Sequence, residues 1–149
     1  MSEAVFRAAT AADVAAIVAL LADDVLGAAR ECPGDPAYDA TFAAIAADPN
    51  QMLAVADVDG HVVGCLQLSF IPGISHRGAW RGQVESVRIG ADQRGSGLGR
   101  RMMDWAIEQC RTRDCRLVQL TTDKSRADAR RFYESLGFVA SHEGMKRTL

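Results

Sequence analysis

A glycine-rich segment near the middle of the chain constrains the fold more than any other feature. It extends from Arg94 to Arg100 and reads Arg-Gly-Ser-Gly-Leu-Gly-Arg. It follows an apolar run at 84–89 that predicts a strand, and it begins a helical pattern that continues toward Cys110. Glycine allows sharp turns and a close approach of the backbone to a ligand. The first turn of a helix has unpaired N–H groups and partial positive charge. This arrangement predicts an anion site, most naturally for phosphate, to which the flanking arginines add full charges.

Two common phosphate-binding patterns do not fit this segment. A P-loop ends in Lys followed by Ser or Thr, and that pair is missing. A dinucleotide fingerprint spaces its glycines as G-x-G-x-x-G, but the third position falls on Arg100 or on Met102. The pattern that remains is Arg-x-x-Gly-x-Gly, formed by Arg94, Gly97 and Gly99. Taken alone, so short a pattern is also compatible with a loop that only turns the chain.

A second pattern lies near the C-terminus. Residues 129–138 read Ala-Arg-Arg-Phe-Tyr-Glu-Ser-Leu-Gly-Phe, which predicts a helix closed by Leu136, a C-terminal cap at Gly137 and a strand that starts at Phe138. In this order and at this spacing, the two patterns resemble the acetyl-CoA pyrophosphate loop and the Phe-Tyr helix of the GCN5-related N-acetyltransferases, the GNAT superfamily. The resemblance covers nearly the whole chain.

The size and composition of the chain are compatible with this resemblance. A length of 149 residues predicts a single domain, residues 1–149, with the ordinary globular content of 48% hydrophobic and 24% charged residues. No apolar run approaches the ~20 residues of a membrane span and no secretory signal is visible, so we expect a cytoplasmic protein without membrane association. The four cysteines lack metal-ligand spacing, so no metal site is predicted, and Cys65 and Cys110 are predicted core residues.

Charge is distributed unevenly along the chain. Residues 1–76 have two basic and ten acidic side chains, a net charge of −8, whereas residues 77–149 have fifteen basic and nine acidic ones, a net charge of +6. The basic half contains the phosphate loop, and the acidic half would then favour a cationic acceptor. Solvated helix faces would explain the same counts. Nucleic acid is not predicted as a partner, because zinc-finger and RNP patterns are missing.

Hydrophobic periodicity and turn residues predict eleven elements. Predicted strands span 5–8, 52–57, 62–70, 83–89, 117–121, 138–140 and 144–147, and predicted helices span 14–21, 41–47, 97–113 and 127–136. Thr10 and Asp13 predict a capping box before the first helix, and Asp59-Gly60 predicts a hairpin turn. The order βααβββαβαββ predicts an α/β fold with a mixed, mostly antiparallel central sheet flanked by helices, which matches the GNAT layout.

The resemblance implies acetyl transfer from acetyl-CoA to an amine, and two residues are candidates for its proton transfers. Tyr133 matches the tyrosine of the Phe-Tyr pair, which would protonate the departing sulfur; a half-buried structural tyrosine is the alternative. Glu85 lies where several GNAT enzymes have a glutamate base. Strand alternation groups Glu85 with Val87 and Ile89, so we expect partial burial, which makes a carboxylate a better base near neutral pH. A structural carboxylate and a base acting through a water chain remain alternatives.

The resemblance also implies the residues that bind acetyl-CoA. Central-strand backbone groups would hold the pantetheine arm, and the loop would wrap the pyrophosphate; the predicted residues are Val87, Arg88, Ile89, Arg94, Gly95, Ser96, Gly97, Leu98, Gly99 and Arg100. Arg126 departs from the family pattern, because many relatives have a cofactor-binding asparagine there, six residues before the Phe-Tyr pair. We therefore predict that Arg126 contacts a CoA phosphate or faces solvent.

The acceptor is less defined than the cofactor. By the resemblance, the charged segments 23–31 and 76–81 flank the acceptor cleft. The predicted function is transfer of the acetyl group to a primary amine of a small molecule or a peptide, by direct attack in a ternary complex and with a homodimer as the assembly. The alternative is a non-catalytic acyl-CoA-binding or regulatory module.

Overall fold

The computed structural model describes residues 2–149. Its strands are β1 (Val5–Ala8), β2 (Gln51–Val58), β3 (His61–Pro72), β4 (Trp80–Ile89) and β5 (Leu117–Gln119). Its helices are α1 (Val14–Ala22), α2 (Val25–Arg30), α3 (Ala37–Ala47), α4 (Ser75–Gly78), α5 (Leu98–Thr112) and α6 (Ala127–Ser135). The single turn of α4 has left-handed backbone angles at His76 and Arg77. Within residues 2–149, no helix is long and apolar enough to cross a membrane.

All five strands form one sheet in the order β1-β2-β3-β4-β5. The first four strands pair antiparallel, whereas β4 and β5 pair in parallel. Asp59 and Gly60 turn the chain between β2 and β3 with the positive φ angles, 52° and 83°, that a two-residue hairpin requires. The predicted α/β fold, with a mixed sheet flanked by helices, is confirmed.

Apolar side chains cover both faces of the sheet. On one face, α5 packs its apolar side against β2, β3 and β4. The buried members of this cluster are Ala54, Ala56, Leu66, Leu68, Phe70, Val84, Leu98, Met102, Met103, Ala106 and Cys110. On the other face, Ile17 of α1 packs against Val55 and Cys65. The prediction that Cys65 and Cys110 are core residues is confirmed, because both are almost fully buried.

A β-bulge interrupts β4. Cys65 pairs with Arg88 and Gln67 pairs with Glu85, so two residues of β4 lie opposite the single residue between them on β3. Ser86, in the bulge, has a φ of 57°, in the left-handed region. That conformation costs a residue with a Cβ about 1 kcal/mol or more. The bulge also shifts the alternation of side chains, so that Val84 and Val87 both contact the α5 cluster.

Two regions differ from the sequence prediction. The segment after α1, predicted as a loop, forms α2 because the side chain of Asp24 accepts a hydrogen bond from the Gly27 N–H (2.5 Å) and caps the helix. The strands predicted at 138–140 and 144–147 are wrong, since residues 138–149 form no strand. Val139 and Met145 are 81% and 93% exposed. A β-favouring sequence forms a strand only where it has a pairing partner and a surface to cover.

Arg7 connects β1 to the start of α1 and to β2 through side-chain hydrogen bonds. Its guanidinium donates to both carboxylate oxygens of Asp13 (2.7 and 3.1 Å) and to Oδ2 of Asp57 (2.9 and 3.1 Å). Asp13 also accepts the backbone N–H of Thr10 (2.7 Å), the contact that the predicted capping box requires. The hydrogen bonds from Arg7 are the main reason that the pKa of Asp13 is lowered from 3.8 to about 2.

This lowered pKa predicts an acid-dependent loss of stability. A carboxylate whose pKa is lower in the folded state than in the unfolded state stabilises the fold at neutral pH, and the contribution disappears as the pH falls from about 4 to about 2. We expect Asp13→Asn to lower the free energy of unfolding at pH 7 by about 1–2 kcal/mol, and the deficit to shrink across that window. Urea denaturation measures it, with the exposed Asp104→Asn as control; a pH-independent deficit would contradict the prediction.

Candidate functional site

The central strand β4 has two different edges. One edge pairs with β3 along the strand, but the other pairs with β5 only through Arg81, Gly82 and Gln83. From Val84 to Ile89, this second edge has no strand partner among the residues that the structure describes. Its backbone N–H and C=O groups are therefore available to a ligand, as those of any strand edge are. The bulge at Ser86 lies within this unpaired stretch.

The glycine-rich segment connects the end of β4 to α5. After Ile89, a 3-10 turn (Ala91–Gln93) leads to Gly95 and Gly97, which have φ angles of 79° and 81°. Glycine adopts such angles without the strain that a side chain would cause. No atom lies within 4 Å of the position that an added Cβ would take at either glycine. This side of the loop is therefore open to a ligand.

The N-terminus of α5 has hydrogen-bond donors without partners. The N–H of Leu98 reaches the hydroxyl of Ser96 (3.3 Å). Within residues 2–149, the N–H groups of Gly97, Gly99 and Arg100 have no acceptor outside regular helix and strand hydrogen bonding. The helix is 15 residues long and its dipole is positive at this end. Together with the exposed side chain of Arg94, these groups fit a phosphate-type anion.

Helix α6 lies against this loop at its C-terminal end. A Cβ added to Gly99 would be 3.5 Å from the ring of Phe132 and 3.6 Å from Ile89, so the two helices and β4 meet closely there. Nη2 of Arg100 donates to the carbonyl and hydroxyl oxygens of Ser135, at 3.3 Å each. Because α6 has nine residues and a helix rises 1.5 Å per residue, its N-terminal end lies about 13 Å from this contact.

Tyr133 of α6 lies in an aromatic cluster beside the core. Its ring centroid is 5.2 Å from that of Phe132 and 6.0 Å from that of Phe138, and both pairs are edge-to-face. Burial raises the pKa of the Tyr133 hydroxyl, and the positive charges of Arg126 and Arg88 oppose this rise. The net effect keeps the hydroxyl protonated at neutral pH. Tyr133 can therefore donate a proton to a stronger base.

The predicted surroundings of Glu85 are wrong. Because the bulge shifts the alternation, Glu85 lies on the face of β4 opposite to Val87 and Ile89, which pack against the α5 cluster. Its side chain is exposed rather than partly buried. The argument from burial therefore does not apply to this carboxylate. What remains is its position, one residue before the bulge and on the unpaired stretch of β4.

Arg88 lies on the same face as Glu85, where it meets α2. Its Nε is 2.9 Å from Oδ2 of Asp24, and its Nη1 donates to the carbonyl oxygen of Val87 (2.9 Å). The Nε–H is not directed at Asp24 and has no acceptor within residues 2–149, although the atom is buried. Only 13% of the Arg88 side chain is exposed. The side chain of Arg88 and helix α5 thus lie on opposite faces of β4. Only the backbone of Arg88 lies at the open edge of the strand.

Thr122 and Arg126 lie in the segment that connects β5 to α6. Arg126 precedes α6 and is exposed, and residues 125–129 line a cavity of about 360 Å³. The pKa of Asp24 is lowered chiefly by the Gly27 N–H, with help from the charges of Arg88, Arg126 and Arg30, so Arg126 lies within electrostatic range of α2. The hydroxyl of Thr122, just after β5, is buried without a partner in the described part of the chain. Sequence reasoning missed it, because a lone threonine after a strand has no pattern.

The site therefore combines an anion-binding loop, an open strand edge, a protonated phenol and an exposed carboxylate. Within residues 2–149, no group of three or more His, Cys, Asp or Glu side chains could hold a metal ion. The loop can hold a charged ligand, and Tyr133 and Glu85 are groups that can exchange protons. Such an arrangement suits group transfer from an anionic carrier.

The sequence of the chain matches a known family. The model of the acetyltransferase (GNAT) family matches residues 16–138. An aminoalkylphosphonate N-acetyltransferase of Salmonella typhimurium is 34% identical over 101 residues, which are 68% of this chain and 65% of that protein. A glucosamine 6-phosphate N-acetyltransferase of Trypanosoma brucei brucei is 31% identical over 90 residues, which are 60% of this chain and 59% of that protein. The matches thus span less than two thirds of the length of either curated relative.

A solved structure matches over the full length. It is a protein of Bacillus halodurans C-125 described as a transcriptional regulator, with 46% sequence identity and a TM-score of 0.95. The match covers 98% of this chain and 99% of that one.

Proposed function

The chain belongs to the GNAT family of acetyltransferases, and we propose that it transfers the acetyl group of acetyl-CoA to a primary amine by direct attack in a ternary complex. The observation that carries this proposal is the unpaired edge of β4, which leads directly into the glycine-rich loop. An extended ligand can pair with such an edge as a strand would. Its anionic end then reaches the loop and its reactive end reaches the phenol.

The residues of the loop fit the pyrophosphate of acetyl-CoA, which would supply the acetyl group as a thioester. The unpartnered N–H groups at the start of α5 are donors to phosphate oxygens, and Arg94 and Arg100 add charge. Gly95 and Gly97 keep that surface free of side chains. Backbone groups of Val87, Arg88 and Ile89 hold the pantetheine arm, and the buried hydroxyl of Thr122 is a further donor near β5.

Three chemical tasks belong to residues of this chain. Glu85 removes a proton from the ammonium form of the acceptor, directly or through water, so that the nitrogen gains a lone pair for attack on the thioester carbon. Free N–H groups on the edge of β4 stabilise the carbonyl oxygen as it gains negative charge. When the carbon–sulfur bond breaks, the Tyr133 hydroxyl gives its proton to the sulfur, the nitrogen gives its surplus proton to the phenolate, and acetylated amine and CoA thiol leave.

Both curated relatives support a small-molecule acceptor. One is named for aminoalkylphosphonates and the other for glucosamine 6-phosphate, and each of these compounds combines an amine with a phosphorus oxyanion. We propose a small amine as the first acceptor class and a peptide amino group as the second. A homodimer, which the resemblance implies, and the cytoplasmic location expected from the sequence are part of the proposal.

A non-catalytic acyl-CoA-binding or regulatory role is the alternative. The relative from Bacillus halodurans, 46% identical to this chain, is described as a transcriptional regulator. An acyl-CoA sensor would need the anion-binding loop but not a proton donor or a base. The presence of a protonated phenol, Tyr133, and of a carboxylate on the unpaired stretch of β4, Glu85, therefore favours catalysis.

Turnover distinguishes these two functions. Acetyl-CoA should raise the melting temperature, because a ligand that binds only the folded state stabilises it. Release of CoA thiol should follow when an amine is added, measured across polyamines, amino acids, aminoalkylphosphonates, amino sugars and peptides. Stabilisation without release by any amine would support the regulatory role. No stabilisation by acetyl-CoA or CoA would contradict both functions.

Tyr133→Phe should lower kcat by about 100-fold or more, because it removes the proton donor for the leaving sulfur. The ring remains, so the edge-to-face contacts with Phe132 and Phe138 and the acetyl-CoA-induced rise in melting temperature should persist. Initial rates of thiol release give kcat, and thermal shift gives cofactor binding. Unchanged turnover would remove Tyr133 as the acid.

Glu85→Gln should flatten the acidic limb of the pH profile of kcat/KM, since a base must be unprotonated to accept a proton. The matched control is Glu108→Gln, at an exposed carboxylate on α5 that forms an ion pair with Arg111. Both variants should keep the acetyl-CoA-induced rise in melting temperature. If the acidic limb of Glu85→Gln follows that of the unsubstituted protein, another group is the base.

A further inference from the structure

Two arginines from the basic half of the chain act on Asp24 at the start of α2. The acidic half of the chain, residues 1–76, has only Arg7 and Arg30 as basic side chains. Arg7 pairs with Asp13 and Asp57 at the far edge of the sheet, and Arg30 pairs with Glu31 at 2.9 Å. The guanidinium groups that remain near α2 are those of Arg88 and Arg126. We refer to Arg88 and Arg126 as the arginine pair.

Arg88 is held in place but only partly satisfied. Asp24 fixes it through a 2.9 Å ion pair, and the cap that Asp24 forms on α2 fixes Asp24 in turn. One hydrogen bond, to the carbonyl of Val87, accompanies this ion pair, and the buried Nε–H has no acceptor within residues 2–149. A guanidinium has five N–H donors, and leaving buried donors unpaired is unfavourable. The geometry thus leaves capacity for a second anion.

Arg126 lies at the opposite end of α6 from the hydrogen bonds that join this helix to the glycine-rich loop. The loop contacts α6 at Phe132 and Ser135, whereas Arg126 precedes the first residue of the helix, about 9 Å from Phe132 and about 13 Å from Ser135 at 1.5 Å per residue. Its charge acts on Asp24 and on Tyr133. This position is compatible with a role toward the acceptor, and thermal shift of an Arg126 variant with acetyl-CoA distinguishes that role from a contact with a CoA phosphate.

We propose that the arginine pair binds an anionic group of the acceptor, so that the preferred substrate is a small amine that also has a phosphonate, phosphate or carboxylate group. This inference rests on the proposed function, because it assigns the acceptor half of the same site. Arginine binds such groups through paired hydrogen bonds, and partial burial strengthens them. The anion fixes one end of the acceptor, and the exposed carboxylate of Glu85, on the same face as Arg88, receives its ammonium end.

The test measures acceptor binding separately from turnover. Calorimetric titration of the full chain, saturated with CoA, uses three probes that share an aminoethyl or ethyl framework: 2-aminoethylphosphonate, β-alanine and ethylamine. We expect the two anionic probes to bind at least about tenfold more tightly than ethylamine, from hydrogen bonds to a charged group. Comparison of phosphonate with carboxylate identifies which anion the pair prefers.

The first variant is Arg126→Gln, which should fold normally because the position is exposed. The second is Arg88→Lys, which keeps the positive charge beside Asp24 but loses the paired N–H donors of the guanidinium. Each should reduce the affinity for the anionic probes about tenfold or more and leave ethylamine within about twofold. The matched control is Arg111→Gln, on the exposed side of α5. Thermal shift with acetyl-CoA should be unchanged in all three variants.

Three outcomes would overturn the inference. The first is equal affinity of the unsubstituted protein for ethylamine and for both anionic probes. The second is an equal loss of affinity for all three probes in the variants. The third is loss of the acetyl-CoA-induced rise in melting temperature in Arg126→Gln, which would assign Arg126 to the cofactor. Failure of the proposed function would differ from these, because selective anion binding would persist without thiol release.

Discussion

The short pairing between β4 and β5 is the constraint on which the site depends. Three residue pairs join these strands, and beyond Gln83 they separate. The core on the α5 side keeps β4 in the sheet, and β3 pairs with its other edge, so the unpaired stretch remains ordered without a sixth strand. The bulge at Ser86 lies in that stretch and accepts a left-handed backbone angle to form. A fold that paired both edges fully would have no place for an extended ligand.

The two faces of β4 have different chemical roles in the proposed enzyme. On the α5 face, Val87 and Ile89 join the apolar cluster, and the loop that follows directs unpartnered N–H groups outward. On the α2 face lie Glu85 and Arg88, whose guanidinium forms an ion pair with Asp24. The bulge produces this division, because it moves Glu85 away from the apolar residues that follow it. Cofactor and acceptor can therefore approach the same strand from different sides.

Much of the fold and part of the site follow from local sequence signals. The capping contact of Asp13, the Asp59-Gly60 turn and the helical pattern that continues toward Cys110 act over a few residues, and the structure confirms them. The family match confirms the resemblance that rested on the loop and the Phe-Tyr helix. The surroundings of Glu85 were not predictable, because a bulge depends on pairing between distant segments and Ser86 is not a glycine. The C-terminal strands failed for a related reason: their residues have the local preference, but strand pairing depends on distant segments and residues 138–149 form none.

Helix α6 extends from the glycine-rich loop to Arg126. Its C-terminal end is hydrogen-bonded to Arg100 of the loop, Tyr133 lies two residues before that contact, and Arg126 stands just before its first residue. Such a helix acts as a lever: a rotation of about 5° around Ser135 would displace the other end by about 1 Å over its roughly 13 Å length. Tyr133, about 3 Å from Ser135 along the axis, would move by only about 0.3 Å. A shift of the loop would therefore change the position of Arg126 much more than that of the phenol.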